Sequence, residues 1–348
     1  MIWTEKYKPK NLSEFKGNRG TIDRISQYNL ENIPHLLIHG VSGAGKRSLV
    51  KCLMTHLFGH SPVSRIRKSE IKNNSKTISV SYIEADEYIE ISPSEYGYQD
   101  KLIIQTVIKE MTQSKPIMSL FSKNKRPSLK IIVITSAEDL SFEAQAALRR
   151  TIEVYSSCFR IFLICSQLSK IIEPIRSRCL FFRLEGLNNT EMSEILMNII
   201  KQENSLIDSE QVSSIVKDSN GNLRRAITKL ELLDNKFKSG DKRKKSDSNV
   251  KLDWELELDE IVGLIKRNLQ SEVMHEVRKR LYLLLNSCIP PDFVLIELYK
   301  RFIAGKDSND LEKILDLALI YEERIKSGTK GVFHIEAFII GVMCVFKK

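Results

Sequence analysis

Short apolar runs alternate with stretches of helical periodicity over the first half of the chain. Leu36 to Ile38 form one such run, and "LKIIVITS", "FRIFLICS" and "CLFFRL" form three more. Short, continuous and rich in β-branched residues, they read as strands buried on both faces of a parallel sheet. "TISVSYIEADEYIEIS" alternates instead, as one or two strands. Between the runs, Leu49, Leu53, Leu57 and Phe58 recur at helical spacing, and "DKLIIQTVIKEM" and "FEAQAALRRTIEVY" are amphipathic helices. Strands alternating with helices predict an α/β domain with a parallel sheet over residues 1–185.

From Gly186 the β-branched runs stop. "NNTEMSEILMNIIKQEN" opens on a capping signal, Asn189 or Thr190 ahead of Glu191 and Glu194. "DSEQVSSIVKDSNGN" is a second helix closed by Asn220 and Gly221, and "LRRAITKLELLDNKF" is a third. Residues 186–237 therefore read as a small helical domain. Residues 238–252 are polar and charged, a linker or surface loop. Residues 253–348 return to helical periodicity without a catalytic motif, which suits packing or assembly. No internal repeat of fixed period is present.

Composition narrows this picture in three ways. A net charge of +10 favours a polyanionic partner, nucleic acid first, against the alternative of a lysine-rich solvated surface. Six cysteines, Cys52, Cys158, Cys165, Cys179, Cys288 and Cys344, are scattered with no C-x-x-C pair. That argues against a zinc ribbon and against a disulfide framework, suits a reducing, intracellular compartment, and no metal site is expected. No apolar run is long enough to span a membrane, and "MIWTEKYKPK" lacks the apolar core of a signal peptide.

The chemistry concentrates in "GVSGAGKRS", residues 40–48, between the first strand and its helix. Gly40, Val41, Ser42, Gly43, Ala44, Gly45 and Lys46 fit G-x-x-x-x-G-K, the phosphate-binding loop. In such a loop glycines turn successive N–H groups inward around phosphate oxygens, the helix N-terminus adds positive potential, and the lysine reaches the terminal phosphates. The next residue normally gives a hydroxyl to Mg2+. Here it is Arg47, and Ser48 is rotated by about 100° along the helix. Arg47 suits holding a diphosphate better than metal-dependent hydrolysis.

The partner element of such a site is an apolar strand ending in two carboxylates, one for the metal and one for the attacking water. "KIIVITSAEDLS" supplies the strand, Ile131 to Ile134, but Thr135 and Ser136 occupy the acidic positions. Glu138 and Asp139 follow further on and are expected to be displaced from both tasks. Two defects in separate elements predict a site that binds ATP or ADP, leaves Mg2+ without its usual ligands, and hydrolyses little or nothing.

Four further segments carry a resemblance. "WTEKYKPKNLSEFKG" (3–17) resembles W-x-x-K-Y-R-P-x-x-x-x-x-x-x-G, "AQAALRRTIE" (144–153) resembles A-x-x-A-L-R-R-T-M-E, "SKIIEPIRSRC" (169–179) resembles I-I-x-P-I-x-S-R-C, and "NGNLRRAI" (220–227) resembles G-D-M-R-x-A. With the phosphate loop, these are the motifs of replication factor C small subunits, clamp loaders of the AAA+ class, in family order. "CIPPDFVLIEL" and "VFHIEAF" (332–338) are similar to the last domain of the subunit type whose own ATPase site is degenerate.

The resemblance implies an AAA+ α/β domain, an all-α lid and an all-α collar. It implies a hetero-pentamer with four other clamp-loader subunits, loading the sliding clamp (PCNA) onto primer–template DNA in replication and repair. It implies a nuclear protein, with "DKRKK" (241–245) as an import patch or a plain charged linker. It assigns Arg178 as an arginine finger reaching a neighbour's γ-phosphate, Arg224 as the lid arginine that senses nucleotide, and Ser166 as the residue at a polar sensor position usually held by Asn. Arg149 and Arg150 match family arginines of the domain interior or interface. Lys101 and Lys109 are candidate DNA contacts, against a solvated helix face. "QSKPIMSLFSKNK" (113–125) has part of a clamp-binding pattern, with Pro116 against it. The rival readings are a hydrolysis-competent loader subunit and a scaffold that neither binds nucleotide nor donates a finger.

Overall fold

A computed structural model describes residues 2–73, 76–85, 87–113, 129–156, 159–205, 207–238, 251–268, 270, 272–304, 308–328 and 330–347. The chain divides into two compact units, Met1–Val250 and Lys251–Lys348. The linker segment, "DKRKK", most of "QSKPIMSLFSKNK" and Cys158 lie outside the described residues.

The first unit is built on a seven-stranded sheet, with β1 (Leu36–Gly40), β2 (Arg65–Asn73), β3 (Lys76–Glu84), β4 (Tyr88–Ile91), β5 (Lys130–Ile134), β6 (Phe159–Cys165) and β7 (Leu180–Leu184). The order is β2-β3-β4-β5-β6-β1-β7. The five strands from β4 to β7 are mutually parallel. The apolar runs of β4, β5, β6 and β1 are buried on both faces. β7, at the sheet edge, leaves Leu180 and Phe181 exposed and buries only Phe182 and Leu184, contrary to the expectation from its apolar run. Ile131 and Val133 join one core layer, with Leu49, Leu53 and Met54 of α3 (Lys46–Phe58). Ile132 and Ile134 join the other, with Ile103 and Val107 of α4 (Asp100–Gln113) and Leu148 and Ile152 of α5 (Phe142–Tyr155).

The sheet is wider than its apolar runs predict. β2 and β3 form a long antiparallel hairpin, and β3 pairs antiparallel with β4. β2 reads "RIRKSEIKN", and Arg65 to Lys68 are exposed. An edge strand with solvated charged positions needs no apolar run and is shielded from stray pairing by its charges.

Short helices α1 (Trp3–Lys6), α2 (Arg19–Ser26) and α6 (Glu173–Arg176) complete the α/β part. Helices α7 (Asn189–Glu203), α8 (Ser209–Ser219) and α9 (Leu223–Lys238) follow. The cap of α7 lies one residue before the expected pair. Asn188 is the N-cap, and its N–H donates to Glu191 Oε2 at 3.1 Å. Asn220 ends α8 in the left-handed region, φ 47°. The three helices share a core of Met192, Leu196, Ile215, Ala226 and Leu230, and Trp3 enters this core from the chain's other end.

The second unit contains α10 (Asp253–Arg267), α11 (Val273–Asn286), α12 (Pro291–Ile303), α13 (Ser308–Ser327) and α14 (Gly331–Phe346). Leu258, Leu281, Leu298, Phe302 and Phe338 are fully buried in it. Arg278 grips Glu336 through two hydrogen bonds, 2.6 and 2.8 Å, and Glu336 is buried. Arg301 bridges Asp259 and Glu297. Paired in this way, the carboxylates are held without leaving a bare charge in the bundle. Among the described residues, no helix is long and apolar enough to cross a membrane.

His35, just ahead of β1, is buried, and its Nδ1 accepts the Ile161 N–H at 3.1 Å. Burial, helped by the nearby Arg160, pushes its pKa down to about 4. Above pH ~6.5 both folded and unfolded chains hold this ring neutral. As pH falls from there towards 4, only the unfolded chain takes the proton, so stability drops by roughly 3 kcal/mol over that window. Urea unfolding across this range should show that loss, and His35→Asn should flatten it. An unchanged slope in the variant would assign the acid sensitivity to other groups.

Candidate nucleotide site

Parallel strands deliver their C-terminal ends to one edge of the sheet, where loops of α/β proteins gather their ligands. Here that edge holds the residues after β1, β4, β5 and β6. A cavity of about 480 Å³ opens there, reaching from the loop after β1 to the start of α9. Ser42, Gly43, Gly45, Lys46, Arg47, Ser48 and Arg224 all line it, as do Thr135, Ser136 and Ser166. Ala44 instead turns into the core, and Val41 is exposed. Gly40 contributes its carbonyl.

Two glycines make the loop possible. Gly45 is the N-cap of α3 at φ 90°, a left-handed conformation that points the first N–H groups of the helix into the cavity. Gly43, φ 79°, lies so close to Asn222 that a Cβ would come within 1.9 Å of its Oδ1. Asn222 in turn caps α9, accepting the Arg225 N–H at 3.1 Å. The absent side chain at Gly43 is what lets α9 reach the loop and bring Arg224 to the rim.

The Lys46 ammonium donates to the carbonyls of Gly40 (2.6 Å) and Val41 (3.1 Å) and to Ser166 Oγ (3.1 Å). Burial holds its pKa below the usual lysine range, with Glu138 opposing that shift and Arg224 adding to it. Ser166 thus meets the loop lysine from the end of β6. Glu138 lies past the end of β5, as the sequence places it, yet it still lines the cavity. The turn Ala137–Asp139 carries it back into the cavity lining, where its Oε1 accepts the Ser166 N–H at 2.9 Å. Asp139 does face away, towards Lys170 at 3.6 Å.

The position beside Lys46 has its own partner. Arg47 Nε forms an ion pair with Glu90 of β4, whose carboxylate is buried. Lys51, one turn further along α3, is half-buried. Burial lowers its pKa, and Glu90 is the main opposing influence. Thr135 Oγ1 meets Ser92 Oγ, and Ser136 sits in the left-handed region. The residues that would hold Mg2+ in a phosphate-loop site are a hydroxyl after the lysine and carboxylates at the end of the β5-type strand. This site presents a guanidinium and two hydroxyl side chains in those places, so its donor set does not fit the ion. Glu90 was legible only as a charged residue inside an apolar strand, "YIEI".

The N-terminal segment closes one side. Trp3 N–H donates to Glu231 Oε2 at 3.1 Å, and Tyr7 Oη and Lys6 Nζ both donate to Glu203 at 2.6 Å. Further along, Cys52 Sγ donates to the Pro9 carbonyl at 3.2 Å, and Phe15 packs beside Gly45. Residues 3–15 therefore strap α7 and α9 to the sheet across the cavity, with Glu5, Tyr7 and Lys8 in its lining.

Arg178 does not line this cavity. It follows α6, where its guanidinium donates to Glu153 Oε1 (2.6 Å) and the Pro174 carbonyl (2.7 Å). Arg149 reaches the same Glu153 oxygen at 3.5 Å. Arg149 and Arg150 are both exposed on α5, so neither belongs to the domain interior. Lys101 on α4 pairs with Glu143 at 3.2 Å, and Lys109 lies two turns later with its side chain outside the described set.

Comparison with known proteins gives the same frame. Residues 254–348 match the family profile "Replication factor C subunit 3, C-terminal domain". Residues 194–233 match the "RCF1/5-like, AAA+ ATPase lid domain", and residues 24–188 match "DNA polymerase III, delta subunit". A probable replication factor C subunit 3 of Dictyostelium discoideum is 34% identical over 100% of this chain and 99% of its own length. The chain belongs to the replication factor C family. Human replication factor C subunit 3 is 31% identical over 100% of this chain and 96% of its own, and subunit 5 of Saccharomyces cerevisiae is 31% identical over 99% of each. A RuvB variant of Thermotoga maritima, 16% identical, superposes with a TM-score of 0.50 over 79% of this chain and 85% of its own, which bears on the fold alone. The expected fold class, an AAA+ α/β domain with a helical lid and a helical C-terminal domain, is the one found.

At Gly43 the loop of this replication factor C chain meets Asn222 of the lid with no room for a side chain. Gly43→Ala should therefore speed amide exchange in residues 222–226. Gly59→Ala, at φ 75° with open space around it, should cost about 1 kcal/mol of local strain without that effect. Equal exchange at residues 222–226 in both variants would refute the contact's role.

Proposed function

We propose that this chain is a subunit of a pentameric clamp loader that binds nucleotide without hydrolysing it and completes a neighbour's ATP site through Arg178. The observation that carries this reading is the pairing of an intact phosphate loop with the Arg47–Glu90 ion pair and the Thr135–Ser92 contact where metal and water chemistry is usually done. ATP or ADP is the ligand class. Gly45 and the first turn of α3 would take the phosphates, with Lys46 and Arg224 beside them. The partners are four other loader subunits, the sliding clamp (PCNA) and primer–template DNA, in the nucleus, as the full-length relatives suggest. Exposed apolar side chains on the last unit, Leu283, Leu319 and Phe333, support assembly through that unit. The charge of +10 supports phosphate contacts without sequence reading.

Arg178 supports the finger role by its surroundings. It is partly exposed, outside its own cavity, and held in place by Glu153 and Pro174. A guanidinium entering a neighbour's site neutralises charge that grows in the transition state. A hydrolysis-competent reading draws on Glu138, which remains in the cavity. Its Oε1 accepts the Ser166 N–H and its Oε2 is buried without a partner, so neither oxygen is open to a water in this arrangement.

In the assembled loader with clamp and primed DNA, Arg178→Ala should slow hydrolysis at the adjoining site by about 100-fold or more while nucleotide binding there shifts by less than about threefold. Unchanged single-turnover hydrolysis at that site would remove the finger role.

A further inference from the structure

We propose that the Arg47–Glu90 pair substitutes for the divalent cation, so that this site takes the diphosphate of its nucleotide free of metal. The inference rests on the nucleotide-binding reading above and assigns how the phosphates are neutralised. Arg47 begins α3 beside Lys46, at the position from which the motif normally offers a metal ligand. Its side chain is half exposed towards the cavity, and it is fixed from behind by a carboxylate that is only 5% exposed.

The geometry makes this arrangement more than a loose surface pair. Glu90 lies inside β4, in register with Ile83 on one side and Val133 on the other, so its backbone cannot shift without breaking the sheet. The ion pair runs from Glu90 Oε1 to Arg47 Nε, with no hydrogen bond made there, and leaves the two Nη groups out of that contact. A guanidinium anchored at Nε presents a planar pair of donors, which is the arrangement that matches phosphate oxygens. A long flexible cation would lose much of its binding free energy to ordering; one already held loses less. Lys51, on the same side of α3, balances Glu90 from the second direction.

Charge favours the same outcome. A nucleoside diphosphate carries about three negative charges, and its Mg2+ complex carries about one. Five basic side chains line the cavity against three carboxylates. Such a lining suits the bare polyanion. A divalent ion placed next to Arg47 would instead face a fixed positive charge, with the side chains at Thr135 and Ser136 contributing no negative charge to offset it.

The test is fluorescence titration of the full-length chain with N-methylanthraniloyl-ADP in excess EDTA and in millimolar Mg2+. Wild type should bind within about threefold as tightly in EDTA as in Mg2+. Arg47→Thr should lose about tenfold or more in EDTA and recover most of it when Mg2+ is added, because the hydroxyl now has an ion to serve. Glu90→Gln should weaken binding in EDTA several-fold. Removing a negative charge near a polyanion would by itself tighten binding, so weakening reports lost positioning. Wild-type binding that collapses about tenfold in EDTA, or Arg47→Thr binding unaffected in EDTA, would overturn the proposal and leave nucleotide binding standing. No binding in either buffer would overturn both readings.

Discussion

The close approach of three chain segments at residues 43–45 is the constraint on which the rest of the first unit depends. The loop must turn through left-handed conformations to aim its N–H groups at a common point, and glycine accepts that at little cost. The same missing side chains let Asn222 of the lid and Phe15 of the strap come into contact distance. One stretch of backbone thereby fixes the phosphate cradle and gathers the lid arginine and the N-terminal segment around it. A side chain at Gly43 or Gly45 would disturb all three.

Around that cradle, an ion pair stands where phosphate-loop enzymes hold their metal. Phosphate-loop enzymes neutralise their ligand with a lysine and an ion, and they hold the ion with a hydroxyl and carboxylates. Here Arg47 is pinned by Glu90, and Thr135 is spent on Ser92. The exchange trades a group that can polarise water for one that can only attract. Lid and strap both meet the cavity, so both are placed to respond to its occupancy.

Much of this was legible in the sequence because apolar runs leave a plain trace, although the run of β7 is buried on one face only. β1, β5, β6 and β7 appear as apolar runs, and the phosphate loop and lid caps follow from residue type and spacing. The β2–β3 hairpin was not fully legible, since a solvated edge strand has no such trace. Asn188 was missed as a cap by one residue because Asn189 and Thr190 offer the same chemistry. That Glu138 still lines the cavity was not legible, because position along the chain does not reveal the tight turn that folds it back. Glu90 was missed because its partner is 43 positions away in sequence, and only the sheet brings it beside α3. The strap was recognisable as a motif, but its task became clear only when Trp3 was found in the lid core and Phe15 in the sheet core.

Binding without turnover in this chain, alongside catalysis supplied to a neighbour, is the central claim. It is tested most directly by photo-crosslinking azido-ATP, labelled at either the α or the γ phosphate, to this subunit in the working complex with clamp and primed DNA. The account predicts that the γ-to-α label ratio on this subunit stays constant while the complex turns over. A ratio that falls at the complex's turnover rate would contradict it, because the site would then be hydrolysing its own nucleotide.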